Sequence, residues 1–382
     1  MYDIDDFVVE ESFGNGHSNV CNIMLVGVGG AGCNTITRLM HSDVTSAEFV
    51  AVNTDAQTLL NIKTKATMNR PSMRVKLLQI GKELTKGQGA GALPEIGKNA
   101  AIESTEEIKN MLSNVQLLFL TAGMGGGTGT GASPVIAKIA KEMGILVIAI
   151  VFKPFGFEGV VRNNYAEQGI NELRKFADSL VIIPNDKLDN EHILEGYARG
   201  DDVIRKALKG IGELIAKPCV INLDYADVCK IIRNKGLAHI GIGKGEGEAA
   251  AIQAVSAAVK NNLTDTNIIR ASSMIISYSS GKDFNKNEIQ NATNLVSELM
   301  CPKSEIIFGL DMDESLGDQV NVIIVATGFE LDTEPAMNSA HVQKTEKPIE
   351  HVKTELNSES SEGRIGVDST FVPGFVSNMK KS

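Results

Sequence analysis

Along the first half of the chain, short apolar runs alternate with segments of helical period. Residues 22–26, 49–52, 117–120, 145–151 and 180–183 are nearly continuous in apolar side chains, the pattern of strands buried on both faces. Between them, 34–40, 134–143 and 166–177 carry apolar residues at helical spacing. Strand, helix, strand repeated from residue 20 to residue 200 predicts an α/β fold with a doubly wound, Rossmann-like parallel sheet. In such a sheet the ligand sits beyond the carboxyl ends of the strands, so the loops there are where function is expected.

The second half repeats the theme more briefly. Val203, Ile204, Ala207, Leu208, Ile211, Leu214 and Ile215 predict a long helix over 201–217, which Pro218 ends. Strands are expected at 268–278, 305–310 and 320–327 and helices at 247–261 and 287–299, a smaller α/β domain over 218–330. Residues 1–19 lack apolar periodicity and read as a loose leader before a domain over 20–200. Residues 331–367 are rich in Ser, Glu, Lys, Thr, Pro and Asn, a composition that cannot offset ordering entropy, so a disordered linker is expected. The final segment, 368–382, regains Phe371, Val372, Phe375 and Val376 around Pro373, followed by Lys380 and Lys381, and reads as a tethered partner-binding peptide.

Composition narrows the function. With 37 Lys and Arg against 47 Asp and Glu, a net charge of −10 offers no broad surface to nucleic acid or anionic membrane. The longest apolar run, 145–152, is too short to span a bilayer, and the acidic first residues do not resemble a signal peptide, so a cytoplasmic protein without membrane insertion is expected. Five cysteines without C-x-x-C spacing argue against a zinc site, and no metal ligand set is expected from the protein itself. The unusual figure is 37 glycines beside 5% aromatic residues, which turns attention to loops where backbone makes the contacts.

Two glycine loops stand out. Gly27, Gly29 and Gly32 form G-x-G-x-x-G at a strand-to-helix turn, where free N–H groups and a helix dipole favour an anion. A denser loop follows the strand 117–120, running from Gly123 to Gly131 into a helix expected to have Pro134 near its start. Glycines at that density cost roughly 0.5–1 kcal/mol each if merely structural, and two anion cradles imply several phosphates. A dinucleotide dehydrogenase needs only the first loop, and no G-x-x-x-x-G-K-[ST] of a Walker-type NTPase is present.

The stretch 125–131 reads GGGTGTG and resembles the signature of the tubulin/FtsZ GTPases; within that family the resemblance is to bacterial members. It extends over 27–34, over AVNTDAQ at 51–57, over 85–95, over KPFGFEGVVR at 153–162 and over NLDYAD at 222–227. The resemblance implies a GTPase domain joined by the long central helix to a smaller domain that activates hydrolysis. It implies GTP and GDP as ligands, with Mg²⁺ held mainly through the phosphates. Phosphate contacts would come from Gly30, Ala31, Gly32, Cys33, Asn34, Gly126, Gly127, Thr128 and Gly129, with hydroxyls of Thr128 and Thr130 available, and a γ-phosphate loop from Ala90, Gly91 and Ala92. Glu158 and Arg162, spaced like an ordinary helix ion pair, would meet ribose and phosphate. Tyr197 would stack on the base and Asp201 would accept its N–H groups, although Asp201 and Asp202 also suit a helix N-cap. Asn222, Asp224 and Asp227, which read alone as loop residues, would polarise the attacking water in the neighbouring subunit of a head-to-tail polymer. The partners implied are further copies of the chain and a membrane-adaptor protein at the terminal peptide, in a cytokinetic ring at the mid-cell division site.

Three departures from the family pattern stand in the sequence. Residues 60–77 carry an excess that includes Lys63, Lys65, Arg70, Arg74 and Lys76, expected as a basic surface excursion. The segment 187–197 is shorter than usual, and the terminal peptide lacks the usual Arg after its apolar pair.

Overall fold

The computed structural model describes residues 21–69, 75–188, 192–216, 219–261, 263–264, 266, 268–281 and 285–329. The expected leader, linker and terminal peptide therefore lie outside the described residues, as do Arg70 and Arg74 of the basic segment. The chain opens with β1 (Ile23–Val28), α1 (Gly29–Leu39), β2 (Ala47–Asn53), α2 (Ala56–Asn69) and β3 (Val75–Gln79). Then come α3 (Lys82–Thr85), α4 (Pro94–Glu103), α5 (Thr105–Leu112), β4 (Leu117–Gly123), α6 (Thr128–Glu142), β5 (Leu146–Lys153), α7 (Val160–Leu173) and β6 (Ser179–Pro184). The central helix begins as α8 (Ile193–Ala207), passes through a π-helical stretch at Leu208–Glu213 and ends as α9 (Leu214–Ala216). The rest is α10 (Tyr225–Ile232), β7 (Gly236–Glu246), α11 (Ala250–Val259), β8 (Ala271–Ser280), α12 (Lys286–Ser297), β9 (Glu305–Met312) and β10 (Gln319–Phe329).

Ten strands form one sheet in the order β3-β2-β1-β4-β5-β6-β7-β10-β8-β9. The strands from β3 to β6 are parallel, the order and direction of a doubly wound nucleotide-binding sheet. Their apolar runs have two faces to cover. Leu25, Phe119 and Ile148 point into one core with α1, α2 and the central helix, whereas Met24, Leu118 and Val147 point into another on the opposite side, where residues of α4 to α7 pack. A third core joins β8 and β10 to α11 and α12.

Several expectations change at this level. Part of the excess at 60–77 is regular structure: its first part completes α2, and from Val75 it is β3, paired in parallel with β2, with Lys65 and Lys76 exposed and 70–74 outside the described residues. The strand β7 had no counterpart in the hydrophobic pattern because Gly241, Gly243 and Gly245 occupy every second position. A Cβ on Gly243 would stand 1.8 Å from the Ala254 carbonyl oxygen, so these glycines let α11 lie against the strand. The central helix starts at Ile193, eight residues before its expected start, which puts Asp201 and Asp202 in its interior and removes the N-cap reading. Pro134 lies inside α6, which starts at Thr128.

Candidate functional site

β1 and β4 are neighbours in the sheet, yet the chain leaves β1 toward β2 on one side and β4 toward β5 on the other, which opens a crevice at their carboxyl ends. A cleft of about 250 Å³ lies there, lined by residues that follow β1 (Ala31, Asn34), end β4 (Gly123), end β5 (Phe152) and follow β6 (Asn185).

The phosphate-sized end is built from backbone. Neither α1 nor α6 has a side-chain cap, so the N–H groups of both first turns are open to an anion. A Cβ on Gly29 would come within 2.7 Å of the Gly129 nitrogen, one on Gly127 within 2.8 Å of the Ala90 Cβ, and one on Gly131 within 1.9 Å of the Pro94 oxygen. Most of these glycines are thus demanded by loop-on-loop packing, which corrects the view that their density needs a ligand to explain it. Gly30 and Gly126 are different: both have ordinary φ, and a Cβ there would meet nothing within 4 Å. Among the described residues no atom requires glycine at those two positions, and the bare backbone there can be approached closely.

The other expected phosphate residues divide. Ala31 and Asn34 line the cleft, while Gly32 is fixed by its approach to the Thr121 oxygen, 2.7 Å from where a Cβ would stand. Cys33 turns its thiol into the core, where burial pushes it up to about 12, so only its backbone faces the first turn of α1. Ala90 is buried against the Gly127 loop, whereas Gly91 and Ala92 are exposed with left-handed φ of 56° and 60°. The Thr128 hydroxyl bonds that of Thr54 at 2.7 Å, and the Thr130 hydroxyl accepts from the Gly125 N–H at 2.8 Å, so Thr130 is spent on holding its own loop.

At the opposite end stand polar side chains and rings. Glu158 and Arg162 pair at 3.0 Å and both line the cleft, but Glu158 belongs to a 3-10 turn before Gly159, not to α7. Its second oxygen accepts from the Phe155 N–H at 2.8 Å. Tyr197 and Asp201 sit one turn apart on α8 and face the cleft together; Tyr197 meets Phe155 edge-on at 6.0 Å. Burial first, and the Glu158 carboxylate second, push the Tyr197 phenol above its ordinary range. The Asp201 carboxylate is 4% exposed as a residue and accepts from the Thr35 hydroxyl at 2.7 Å and from the Arg38 Nε–H.

Sequence reasoning missed three of these groups. Thr35 and Arg38 extend Ala31 and Asn34 into an i, i+3, i+4, i+7 stripe along α1, a signal present in the sequence once the helix is known to start at Gly29. Asn185 had no such signal. Its Oδ1 is buried and has no hydrogen-bond partner among the described residues, and Asn185 lines the cleft, so the site holds a candidate acceptor.

Asn222, Asp224 and Asp227 are not brought to this cleft. Tyr225, at the start of α10, donates its hydroxyl to the Gln116 carbonyl at 2.8 Å, and Gln116 stands just before β4. The glycine loop leaves β4 at its other end, about 20 Å away along seven residues of strand. Asn222 is exposed and accepts from the Cys219 N–H at 2.6 Å; Asp224 is exposed at the N-cap of α10 without capping it, and Asp227 follows in the first turn, half-exposed. Among the described residues, no three or more His, Cys, Asp or Glu side chains are grouped to hold a metal.

Comparison with known proteins gives this arrangement a context. Residues 22–192 match the Tubulin/FtsZ family, GTPase domain, and residues 236–330 match the FtsZ family, C-terminal domain. Cell division protein FtsZ 1 of Thermococcus kodakarensis is 43% identical over 310 residues, 80% of each chain. Among solved structures, an empty FtsZ dimer from M. jannaschii is similar with a TM-score of 0.72 and 42% identity, over 81% of this chain and 88% of that one. CetZ2 of Haloferax volcanii, described as a GTPγS-bound protofilament, superimposes with a TM-score of 0.66 at 24% identity, over 81% of this chain and 93% of that one, and speaks for the fold alone. The FtsZ 1 relative is archaeal, and these matches establish a family without extending to a bacterial source.

Proposed function

The chain belongs to the tubulin/FtsZ family and is an FtsZ-type cell division GTPase, and from that premise we propose that its active site is completed only between two copies stacked head to tail. The observation that carries this reading is the separation of parts. Phosphate loops and base-sized cleft lie at the carboxyl ends of the strands, while Asn222, Asp224 and Asp227 stand at the amino ends, about 20 Å off. A nucleotide in the cleft is out of reach of its own chain's acids. Stacking the acid-bearing face of one copy onto the cleft of the next brings the two together, and such a heterologous contact does not close, so it propagates as a filament.

In this reading Gly30, Gly126 and the uncapped first turns of α1 and α6 hold the phosphates, and Glu158 and Arg162 hold the ribose side. Ala90, buried against the Gly127 loop, and the exposed Gly91 and Ala92 beside it would respond to the terminal phosphate. Asn185 and Asp201 supply acceptors for guanine N–H groups beside Tyr197. Mg²⁺ enters with the nucleotide, where it supplies charge neutralisation to the phosphates. Asp224 and Asp227 of the adjoining copy orient and polarise the water. The polymer would be the cytoplasmic ring at the division site, tethered through an adaptor at 368–382.

The test is GTP turnover per molecule as protein concentration rises. Turnover should be near zero for dilute monomer and climb steeply through a threshold; a rate per molecule that is flat from dilute to concentrated protein overturns the shared site. Asp227→Ala should abolish turnover while monomers still bind GTP.

A further inference from the structure

The polar groups behind the base-sized end of the cleft carry an inference beyond the acceptors themselves. Asp201 is nearly removed from water, and its two carboxylate oxygens are held separately: Oδ1 by the Thr35 hydroxyl at 2.7 Å, Oδ2 by the Arg38 Nε–H. A carboxylate offers about four acceptor positions, so two remain after these bonds are made. Guanine presents two parallel donors, its N1–H and its exocyclic amine, and a carboxylate fixed in one plane meets both at once. A carboxylate free to rotate, or without a counter-charge after losing its water, does neither well.

We propose that Thr35 and Arg38 are positioning residues that clamp the Asp201 carboxylate in the plane that reads the exocyclic amine of guanine, and thereby set the enzyme's preference for guanine nucleotides. The helix doing this is the one whose first turn faces the phosphates. Ala31, Asn34, Thr35 and Arg38 lie on one stripe of α1, so a single rigid element spaces phosphate end and base end. Arg38 is suited to the task because its guanidinium is always charged and planar, and its exposed half keeps it solvated while Nε reaches inward. The inference rests on the reading of Asp201 as a base acceptor, and the experiment separates the two.

Steady-state kinetics would be measured above the assembly threshold with GTP, inosine triphosphate, which lacks the exocyclic amine, and xanthosine triphosphate, which carries a carbonyl there. The native protein should favour GTP over inosine triphosphate by about tenfold or more in kcat/KM, the range of a hydrogen bond to a charged group. In Arg38→Gln the preference should fall below about threefold, with the loss in KM for GTP and little change in KM for inosine triphosphate; Arg38→Lys, which keeps the charge but not the fork, should recover part of it. A purely structural tie between α1 and α8 would raise KM for both nucleotides alike, and an unchanged GTP preference in Arg38→Gln overturns the proposal. If that variant does not fold, Thr35→Val keeps the ion pair and should lower the preference by about threefold; no change there overturns it equally. Asp201→Asn addresses the underlying reading. It should shift preference toward xanthosine triphosphate, and if it keeps full guanine preference the base-acceptor assignment falls, whereas a shift in Asp201→Asn with no effect in Arg38→Gln and Thr35→Val removes only the clamp.

Discussion

A glycine can be demanded by the chain's own atoms or by a ligand, and the two demands leave different marks. At Gly131 a Cβ would sit 1.9 Å from the Pro94 oxygen and 2.5 Å from the Lys98 nitrogen, both backbone atoms that cannot step aside. Gly131→Ala should therefore lower unfolding free energy by about 1–3 kcal/mol, visible as a lower melting temperature with or without nucleotide. At Gly126 the same methyl meets nothing within 4 Å and the φ is ordinary. Gly126→Ala should change the unfolding free energy of the apoprotein by no more than about 0.5 kcal/mol yet weaken GTP binding, read by titration on the monomer. If both variants lose stability alike, the distinction between packing glycines and ligand glycines is wrong. Counting glycines in the sequence located the loop correctly but could not divide its residues, because the atoms that crowd Gly127 and Gly131 come from 90–98, which only the folded chain brings there.

Between elements, the same accounting explains what the hydrophobic pattern yields and what it withholds. The strands β1, β4 and β5 are legible because both of their faces are covered and nearly every position is apolar. In β7 the face toward α11 carries glycine so that the helix can lie on the backbone, and the apolar run disappears. Gly243→Ala should cost about 1–3 kcal/mol, measured by denaturant unfolding, since its Cβ would press on the Ala254 carbonyl oxygen at 1.8 Å. The helix start at Ile193 is masked for a different reason: Gly196, Gly200 and Asp201 interrupt the apolar residues of 193–201, so an unbroken stripe shows only from Val203. That shift is what places Tyr197 and Asp201 on one helical face. Across the π-helical stretch, Lys209 bonds Asp43 at 2.8 Å on one side and approaches Asp313 at 3.6 Å on the other. Partial burial opposes ionisation of Asp43, but Lys209 and Arg205 outweigh it and hold its carboxyl below the usual range; Asp313 is held low by Ser315 first and Lys209 after. A carboxyl lowered on folding adds stability above its unfolded value near pH 4, and that share is lost as pH falls through its folded value. These groups are partly exposed, so the share is small, about 1 kcal/mol or less. The difference in melting temperature between the native protein and Lys209→Met should be steady from pH 5 to 8 and vanish toward pH 3; a difference that persists there means the bridge stabilises by packing instead.

For the whole molecule, the decisive feature is that one end of the sheet holds a nucleotide-sized cleft and the other end holds the acids. Sequence motifs name both sets but say nothing about how far apart they stand; that comes from Tyr225 fastening α10 to Gln116 at the amino end of β4. Two ways of silencing the enzyme follow, and they should complement. A chain with Asp224 and Asp227 both changed to Ala keeps an intact cleft and lacks the acids. A chain with Gly127 replaced by a bulky residue, which would meet Ala90 and Leu93, loses the cleft but keeps the acids at its other end. Each alone should be inactive. Mixed at equal concentration above the assembly threshold, the first can seat its nucleotide against the acid-bearing face of the second, forming a complete site at that contact in one orientation only. Roughly a quarter of random head-to-tail contacts pair the two in that order, so recovered turnover should approach about a quarter of native, peak near equal mixing and vanish on dilution. If the mixture stays as inactive as its components while electron microscopy shows both chains in shared filaments, cleft and acids act within one chain, and the 20 Å between them must be closed by a domain movement instead.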